Sequence, residues 1–153
     1  MIKRKLAASV LFSGACLSVG VSAQETNLAE QIKGYVAHEI AGINEHDAVK
    51  ATAFEADDTL SMESGRPSSV GRKAYIDGLK MAFKYEPAWH LRLIEETVDI
   101  PRSQDMAVYR STCTRGGAPA TQKVNYIAMF RKVDGSWKIV WSVVSNIEKP
   151  HKL

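Results

Sequence analysis

The chain has 153 residues, of which 45% are hydrophobic, and its 20 basic and 17 acidic side chains give a net charge of +3. Lys3, Arg4 and Lys5 account for this excess, because no acidic residue occurs in the same N-terminal segment. The remainder is neutral, which gives no electrostatic reason to expect binding to nucleic acid or to an anionic membrane. Its length suits one domain with a substantial core.

Residues 1–23 are typical of a secretory signal peptide. A basic start (MIKRK) is followed by a short run of apolar and small residues, and then by VSA, which ends at Ala23 in the pattern that a signal peptidase recognises. We expect cleavage between Ala23 and Gln24 and a periplasmic or secreted protein without a membrane anchor. The alternative is a lipoprotein signal in which Cys16 is lipidated.

The mature chain is predicted to form one domain over residues 24–147, followed by a flexible tail over 148–153. Cys113 is its one cysteine, so no internal disulfide can form, and we expect this residue to be buried in the core. His38 and Glu39 start a zinc-protease-like motif, but position 42 is Gly, so the second ligand is missing. We therefore expect neither a metal nor another cofactor.

Helices dominate the first half of the predicted domain. Apolar residues recur at helical spacing from Thr26 to about His46, and Asp47 is in the N-cap position of a short second helix over residues 48–54. Residues 59–63 predict a short strand, and residues 64–71 predict a loop rich in Gly, Pro and Ser. A third helix is predicted over residues 72–85, ended by Pro87.

The second half of the chain changes to a period of two. Strands are predicted over residues 89–100, 106–114, 122–133 and 136–146, with Asp134 and Gly135 as the turn of a hairpin. Helices followed by long antiparallel strands predict an α+β domain, in which a curved sheet wraps around the helices.

Several segments together resemble the nuclear-transport-factor-2-like superfamily, in particular its SnoaL-like and ketosteroid-isomerase-like branch. They are INEHDAVKATAFEADDTLSM, the Gly71-Arg72 pair that opens the third helix, and NYIAMFRKVDGSWKIVWSVVSN. The resemblance implies a cone-shaped α+β barrel whose bent antiparallel sheet closes over the N-terminal helices and leaves one apolar pocket. Members of this superfamily differ widely in activity, so the fold alone does not identify the reaction.

The resemblance also assigns roles to particular positions. Ketosteroid isomerase uses an aspartate base, and a tyrosine together with a protonated aspartic acid holds the oxyanion. Aligned on residues 56–58, the base falls on Glu63, the tyrosine on Glu39 and the second acid on Ala128. The base position thus keeps a carboxylate, whereas the two donor positions do not keep their residue types.

The missing donors would have to come from other walls of the pocket, and Tyr35, Tyr109 and Tyr126 are the candidates. The candidate catalytic residues are Glu63, Tyr35 and His90. The candidate pocket-lining residues are Glu39, Tyr109, Tyr126, Ala128 and Ser142.

Each candidate has a plainer interpretation. Glu63 could end a strand in water, and His90 could be a surface or structural histidine. Asp57 and Asp58 are expected to be solvated acids, which leaves Glu63 as the acid between positions 55 and 63 that faces the pocket.

The last predicted strand carries large side chains on both faces. One face would hold Trp137, Ile139, Trp141 and Val143, and the other Val140, Ser142, Val144 and Asn146. One face can line a pocket, but the other needs cover, because large exposed apolar patches are uncommon on monomers. Members of the superfamily that the chain resembles often pair their sheets back to back. The uncovered apolar face and this resemblance together predict a homodimer.

The function expected from the sequence is an exported domain that binds a small apolar or aromatic ligand in an apolar pocket. The alternative is an isomerase- or lyase-like enzyme that uses Glu63 as a general base next to a substrate carbonyl. An apolar pocket disfavours the charged form of a carboxylate and so raises its pKa toward a range that suits proton transfer.

Overall fold

The computed structural model describes residues 23–116 and 122–147. The predicted tail and residues 1–22 of the predicted signal peptide lie outside these ranges. The helices are α1 (Ala23–Asn44), α2 (Ala48–Ala51) and α3 (Arg72–Tyr85). The strands are β1 (Glu55–Glu63), β2 (Ser69–Val70), β3 (His90–Asp99), β4 (Met106–Gly116), β5 (Gln122–Val133) and β6 (Ser136–Asn146).

The six strands form a single curved sheet in the order β2-β1-β6-β5-β4-β3. This arrangement confirms the predicted α+β fold with N-terminal helices packed in a curved sheet. Two features differ from the expectation. The sheet is not closed between its edge strands β2 and β3, and β1 pairs with β6 in parallel rather than antiparallel.

The short second helix begins as predicted but ends earlier. Asp47 caps it, because its side chain accepts hydrogen bonds from the backbone N–H groups of Val49 at 3.0 Å and Lys50 at 2.9 Å. The predicted continuation to Phe54 was wrong, since the carbonyl of Phe54 accepts a hydrogen bond from the backbone N–H of Ile139 on β6 at 2.8 Å. Pairing with a distant strand therefore starts β1 four residues before the predicted position.

A bulge in β6 changes which of its side chains point inward. The β5–β6 register shifts so that Val140 is an extra residue on β6. The predicted alternation placed Ile139 and Trp141 on one face, and this was wrong. Ile139 lies in the core and Ser142 is buried as well, whereas Trp141 lies on the outer face of the sheet and is only partly buried.

The core consists of two clusters of buried side chains. One joins α1 to the inner face of β4, β5 and β6, and includes Ile32, Val36, Tyr109, Phe130 and Ile139. The other joins the end of α1 to α2, α3 and the start of β3, and includes Ile43, Ala51, Leu79, Phe83 and Trp89. Members of both clusters line the cavity described next.

Candidate functional site

A small cavity, here called the inner cavity, lies between α1, α3 and the inner face of the sheet. It encloses about 60 Å³ of open space. Most of its walls are apolar, with contributions from Ile40, Leu79, Trp89 and Val144. Its polar lining consists of Glu39, Ser61, Glu63, Tyr75, Arg115 and Tyr126. An apolar cavity with a few convergent polar groups is the usual form of a small-molecule site.

Glu39 on α1 is the most deeply buried carboxyl group of this lining, with 4% of the residue exposed. The hydroxyl of Tyr126 on β5 donates a hydrogen bond to its Oε2 at 2.8 Å. Burial and the nearby charge of Glu55 raise the pKa of Glu39 to about 8, although hydrogen bonds from Tyr126 and Tyr75 oppose the rise. At neutral pH, Glu39 is therefore mainly a neutral acid that can both donate and accept a hydrogen bond.

Glu55 is a second buried carboxyl group, at the start of β1, with 2% of the residue exposed. The hydroxyl of Thr59 donates to its Oε2 at 2.6 Å, while its Oε1 has no hydrogen-bond partner within the described part of the chain. Burial raises the pKa of Glu55 to about 7, against the effects of Thr59 and Arg72. The sequence analysis assigned no interior role to this residue. Spacing along the strand does not indicate its burial, because Asp57, two residues further on, is exposed and the β1–β6 register shifts between Glu55 and Leu60.

Tyr75 in the first turn of α3 was also not among the candidates proposed from the sequence. Its ring lines the inner cavity. Burial, followed by the nearby carboxyl groups of Glu39, Glu55 and Glu63, holds the pKa of Tyr75 well above its ordinary value. Its hydroxyl thus remains protonated and available as a donor.

Glu63 lies at the end of β1 and is held by two arginines. It forms salt bridges with Arg115 on β4 and with Arg66 in the β1–β2 loop, the latter at 3.4 Å. Glu86 after α3 binds the same two arginines, Arg66 at 2.8 Å and Arg115 at 3.0 Å. These four residues form a closed ring of alternating charges, here called the ion-pair ring. Glu63 is therefore not the isolated carboxylate that the sequence-based argument for a general base assumed.

The ion-pair ring lies where the inner cavity meets a larger groove on the surface. This outer groove encloses about 410 Å³ between α3 and the β1–β2 loop. Ser61, Glu63, Tyr75 and Leu79 line both spaces. The guanidinium carbon of Arg115 lies 4.6 Å from the centre of the Trp89 ring. The positive charge of Arg115 therefore lies against the aromatic face of an apolar cavity wall.

The other two tyrosines proposed as donors lie elsewhere. Tyr35 stacks on Phe54, with ring centres 4.2 Å apart, and its hydroxyl accepts a hydrogen bond from Gln31 at 2.9 Å. The hydroxyl of Tyr109 donates to Glu96 on β3 at 2.9 Å. Neither tyrosine belongs to the lining of the inner cavity or of the outer groove.

Three further candidates complete the comparison with the sequence analysis. His90 is exposed at the start of β3, where its Nδ1 lies 3.1 Å from the carbonyl oxygen of Ala88, outside the inner cavity. Ala128 is fully buried in the core. The buried hydroxyl of Ser142 donates to that of Ser61 at 3.3 Å, directly behind the cavity wall.

The structure thus brings together only some of the proposed residues. Glu39, Glu63 and Tyr126 line one cavity, with Ser142 behind its wall, whereas Tyr35, His90 and Tyr109 lie apart from it. Asp57 and Asp58 are exposed on β1.

Two general features of the described residues bear on the kind of site. Within residues 23–116 and 122–147, no three His, Cys, Asp or Glu side chains are grouped so that they could hold a metal ion. In the same ranges, no helix has both the length and the apolar character needed to cross a membrane.

Comparison with solved structures shows the fold clearly. A protein of unknown function from Pseudomonas putida KT2440, described as NTF2-like, superposes with a TM-score of 0.73 at 16% identity, over 82% of this chain and 91% of the other. A ketosteroid isomerase-like protein from Erwinia carotovora atroseptica SCRI1043 gives 0.60 at 19% identity, over 77% and 95%. A candidate scytalone dehydratase from Novosphingobium aromaticivorans DSM 12444 gives 0.67 at 17% identity, over 85% and 93%.

These superpositions show a common fold, whereas identities of 16–19% leave the activity open. No functionally curated protein matches the sequence. The sequence pattern of the SnoaL-like domain, however, matches residues 32–148, which is most of the chain. The chain therefore belongs to the SnoaL-like domain family, and it shares its fold with the NTF2-like protein described above.

Proposed function

We propose that this chain is an exported domain that binds a small apolar or aromatic molecule and holds an oxygen atom of that ligand in the inner cavity. The buried Glu39–Tyr126 pair, in a cavity with mostly apolar walls, carries this proposal. Apolar walls favour a ligand with little polar surface, because its transfer from water is favourable. The neutral carboxyl group of Glu39 complements a hydroxyl or carbonyl oxygen, since it offers both a donor and an acceptor.

A matched pair of compounds tests the proposal. The molecules p-cresol and p-xylene have nearly the same shape, but only p-cresol carries a hydroxyl group. We expect calorimetry to show p-cresol binding about three- to tenfold more tightly, which is the usual net value of one hydrogen bond. Equal affinities, or no binding of either compound, would contradict the proposal.

Two tyrosine variants locate the hydrogen bond. Tyr126→Phe removes the hydroxyl that orients Glu39 and should abolish most of the preference for p-cresol. Tyr109→Phe is the control, because the hydroxyl of Tyr109 bonds to Glu96 outside the cavity lining. Loss of the preference in both variants would mean that the effect is not specific to the cavity.

An enzyme that moves a proton is the second candidate function. The pKa of Glu39, at about 8, lets this group take up and release a proton near neutral pH, as a general acid or base must. The sequence analysis had assigned this role to Glu63, which the arginines of the ion-pair ring hold in place. Neighbours of the same fold include proteins named as candidate dehydratases, and removal of water from a β-hydroxy ketone is a reaction that such a group could assist.

Diacetone alcohol is a suitable probe of this second candidate. Removal of the hydrogen next to its carbonyl, with loss of the β-hydroxyl group as water, gives mesityl oxide, which absorbs in the ultraviolet. Turnover that is lost in Glu39→Gln and kept in Glu63→Gln and in Asp58→Asn would support Glu39 as the acid or base. Turnover lost only in Glu63→Gln would support the sequence-based assignment instead.

Export rests on the N-terminal sequence. We propose that the protein is cleaved after Ala23, and mass spectrometry of protein from its native host should show a chain that starts at Gln24. A retained Met1, or a lipid on Cys16, would contradict this.

A further inference from the structure

Two of the apolar side chains that line the outer groove are exposed and lie outside the core clusters. Met81 and Tyr85 on α3 line it, with 60% and 73% of each residue exposed. Pro67 on the opposite side and Leu79 at the junction with the inner cavity add further apolar surface. Exposed apolar side chains that line one groove commonly mark a binding surface.

The inner cavity is small for a complete ligand. Its open space of about 60 Å³ contrasts with about 410 Å³ in the groove. The two spaces share four lining residues, so they lie next to each other at Ser61, Glu63, Tyr75 and Leu79. The size difference favours a ligand with a compact polar end in the inner cavity and a longer part in the outer groove.

The charged residues that line the groove indicate the polarity of this longer part of the ligand. Arg66 and Glu86 line the groove, but both are engaged in the ion-pair ring, whose four charges sum to zero. No residual charge of the ring is left for an ionic ligand group. The exposed surfaces of Met81 and Tyr85 fit an uncharged hydrocarbon chain instead.

We propose that the outer groove is the second half of the binding site and takes the hydrocarbon chain of a ligand whose oxygen-bearing head occupies the inner cavity. This inference rests on the proposed function, since it assumes that the head binds beside Glu39 and Tyr126. The ligand class is therefore an uncharged amphiphile, such as an alkylphenol or a long-chain ketone, rather than a compact ring alone.

A series of para-alkylphenols with methyl, butyl and octyl chains tests the inference by calorimetry, below the concentration at which the octyl compound aggregates. Each methylene that the groove covers should raise the affinity by up to about fourfold. We expect the octyl compound to bind at least tenfold more tightly than p-cresol, the methyl member. Affinities that do not depend on chain length would overturn the inference.

Variants of exposed residues identify the surface without a risk to folding. Met81→Ser combined with Tyr85→Ser should remove most of the gain in affinity that the octyl chain gives over the methyl group. Val49→Ser is the matched control, because Val49 on α2 is 55% exposed and lies outside the groove lining. If the double variant keeps the full gain, or if the control loses it equally, the chain does not lie in the groove.

The outcomes separate the two proposals. Binding of p-cresol without a gain from longer chains contradicts the groove and leaves the proposed function standing. Failure of every member to bind contradicts both.

Discussion

The pKa of Glu39 departs strongly from its ordinary value, and this departure has a measurable effect on stability. The folded protein holds the Glu39 proton up to a pKa of about 8, whereas the ordinary value is 4.5. The folded state thus binds more protons than the unfolded chain between these values, so the contribution of Glu39 to stability is present at low pH and falls as the pH rises.

Glu39→Gln should remove this dependence, because glutamine is a neutral isostere that loses no proton. We expect the variant to match the wild type near pH 5 and to be more stable by roughly a few kcal/mol above about pH 8. Urea unfolding at both pH values measures the difference in free energy. A difference that stays constant with pH would show that Glu39 titrates alike in both states.

Glu63→Gln tests the ion-pair ring. For an isolated buried carboxylate, this substitution would leave stability unchanged or raise it. The structure instead gives Glu63 two arginine partners, and the side chain of Arg115 is only 14% exposed. We therefore expect a loss of about 1–2 kcal/mol, between the values for surface and buried pairs.

Asp77→Asn is the control for this experiment. It breaks the pair of Asp77 with Lys73 on the exposed side of α3, where the two charges are 2.6 Å apart. Surface pairs contribute little, so no measurable change is expected. Equal effects of the two substitutions would mean that the ring has no special role in stability.

At the residue level, the resemblance and the local pattern carried only part of the information about the site. Glu39 and Tyr126 were proposed as pocket-lining residues, and both line the inner cavity. Glu55 was missed because strand β1 was expected to begin at Thr59, whereas Glu55 pairs with Ile139 on β6. The ion pairs of Arg115 with Glu63 and with Glu86 could not be found from the sequence, since 52 and 29 positions separate the partners and no local signal joins such distant residues.

At the scale of elements, the bounds that could be predicted are those marked by turn-forming and helix-ending residues in the sequence. The bounds of α3, β5 and β6 were predicted correctly, because Gly71, Pro87 and the Asp134-Gly135 turn mark them in the sequence itself. The start of β1 and the bulge at Val140 depend on pairing with distant strands. No pattern within a short window contains that information, so these features required the structure.

The contact between α1 and α2 gives a prediction at this scale. A Cβ atom added at Gly42 would lie 2.3 Å from the backbone nitrogen of Ala51, which cannot move without shifting α2. Gly42→Ala should cost about 1–3 kcal/mol, even though alanine favours a helix. Gly34→Ala on the same helix is the control, because a Cβ there meets nothing within 4 Å.

The control should gain up to about 1 kcal/mol from helix propensity. Chemical unfolding of both variants gives the comparison. Stabilisation by both substitutions would show that α1 and α2 are not packed as closely as described.

At the scale of the whole molecule, the outer face of the sheet carries a patch of partly buried apolar side chains. Register pairs Leu60 with Trp141 and Met62 with Val143, while Ser61 and Glu63 face the inner cavity. Strand β1 therefore lines the cavity with polar residues, while its apolar residues Leu60 and Met62 lie on the outer face of the sheet. We propose that a second copy of the chain covers this patch, as the sequence analysis expected.

Light scattering of the mature protein at micromolar concentration should therefore give the mass of a dimer. Trp141→Glu should shift it to a monomer, since a charge in an apolar interface is costly. Val49→Glu, which changes an exposed residue of α2, should not. A monomer in the wild type would contradict the proposal.

The central claim is that the inner cavity binds the oxygen-bearing end of an apolar ligand. A crystal structure of the mature protein with para-bromophenol tests it most directly, because the bromine marks the orientation of the ring. We expect the phenol oxygen to lie within hydrogen-bonding distance of Glu39 or Tyr126, with the bromine toward the outer groove. An inner cavity without the compound at saturating concentration, or bromine found only elsewhere on the molecule, would contradict it.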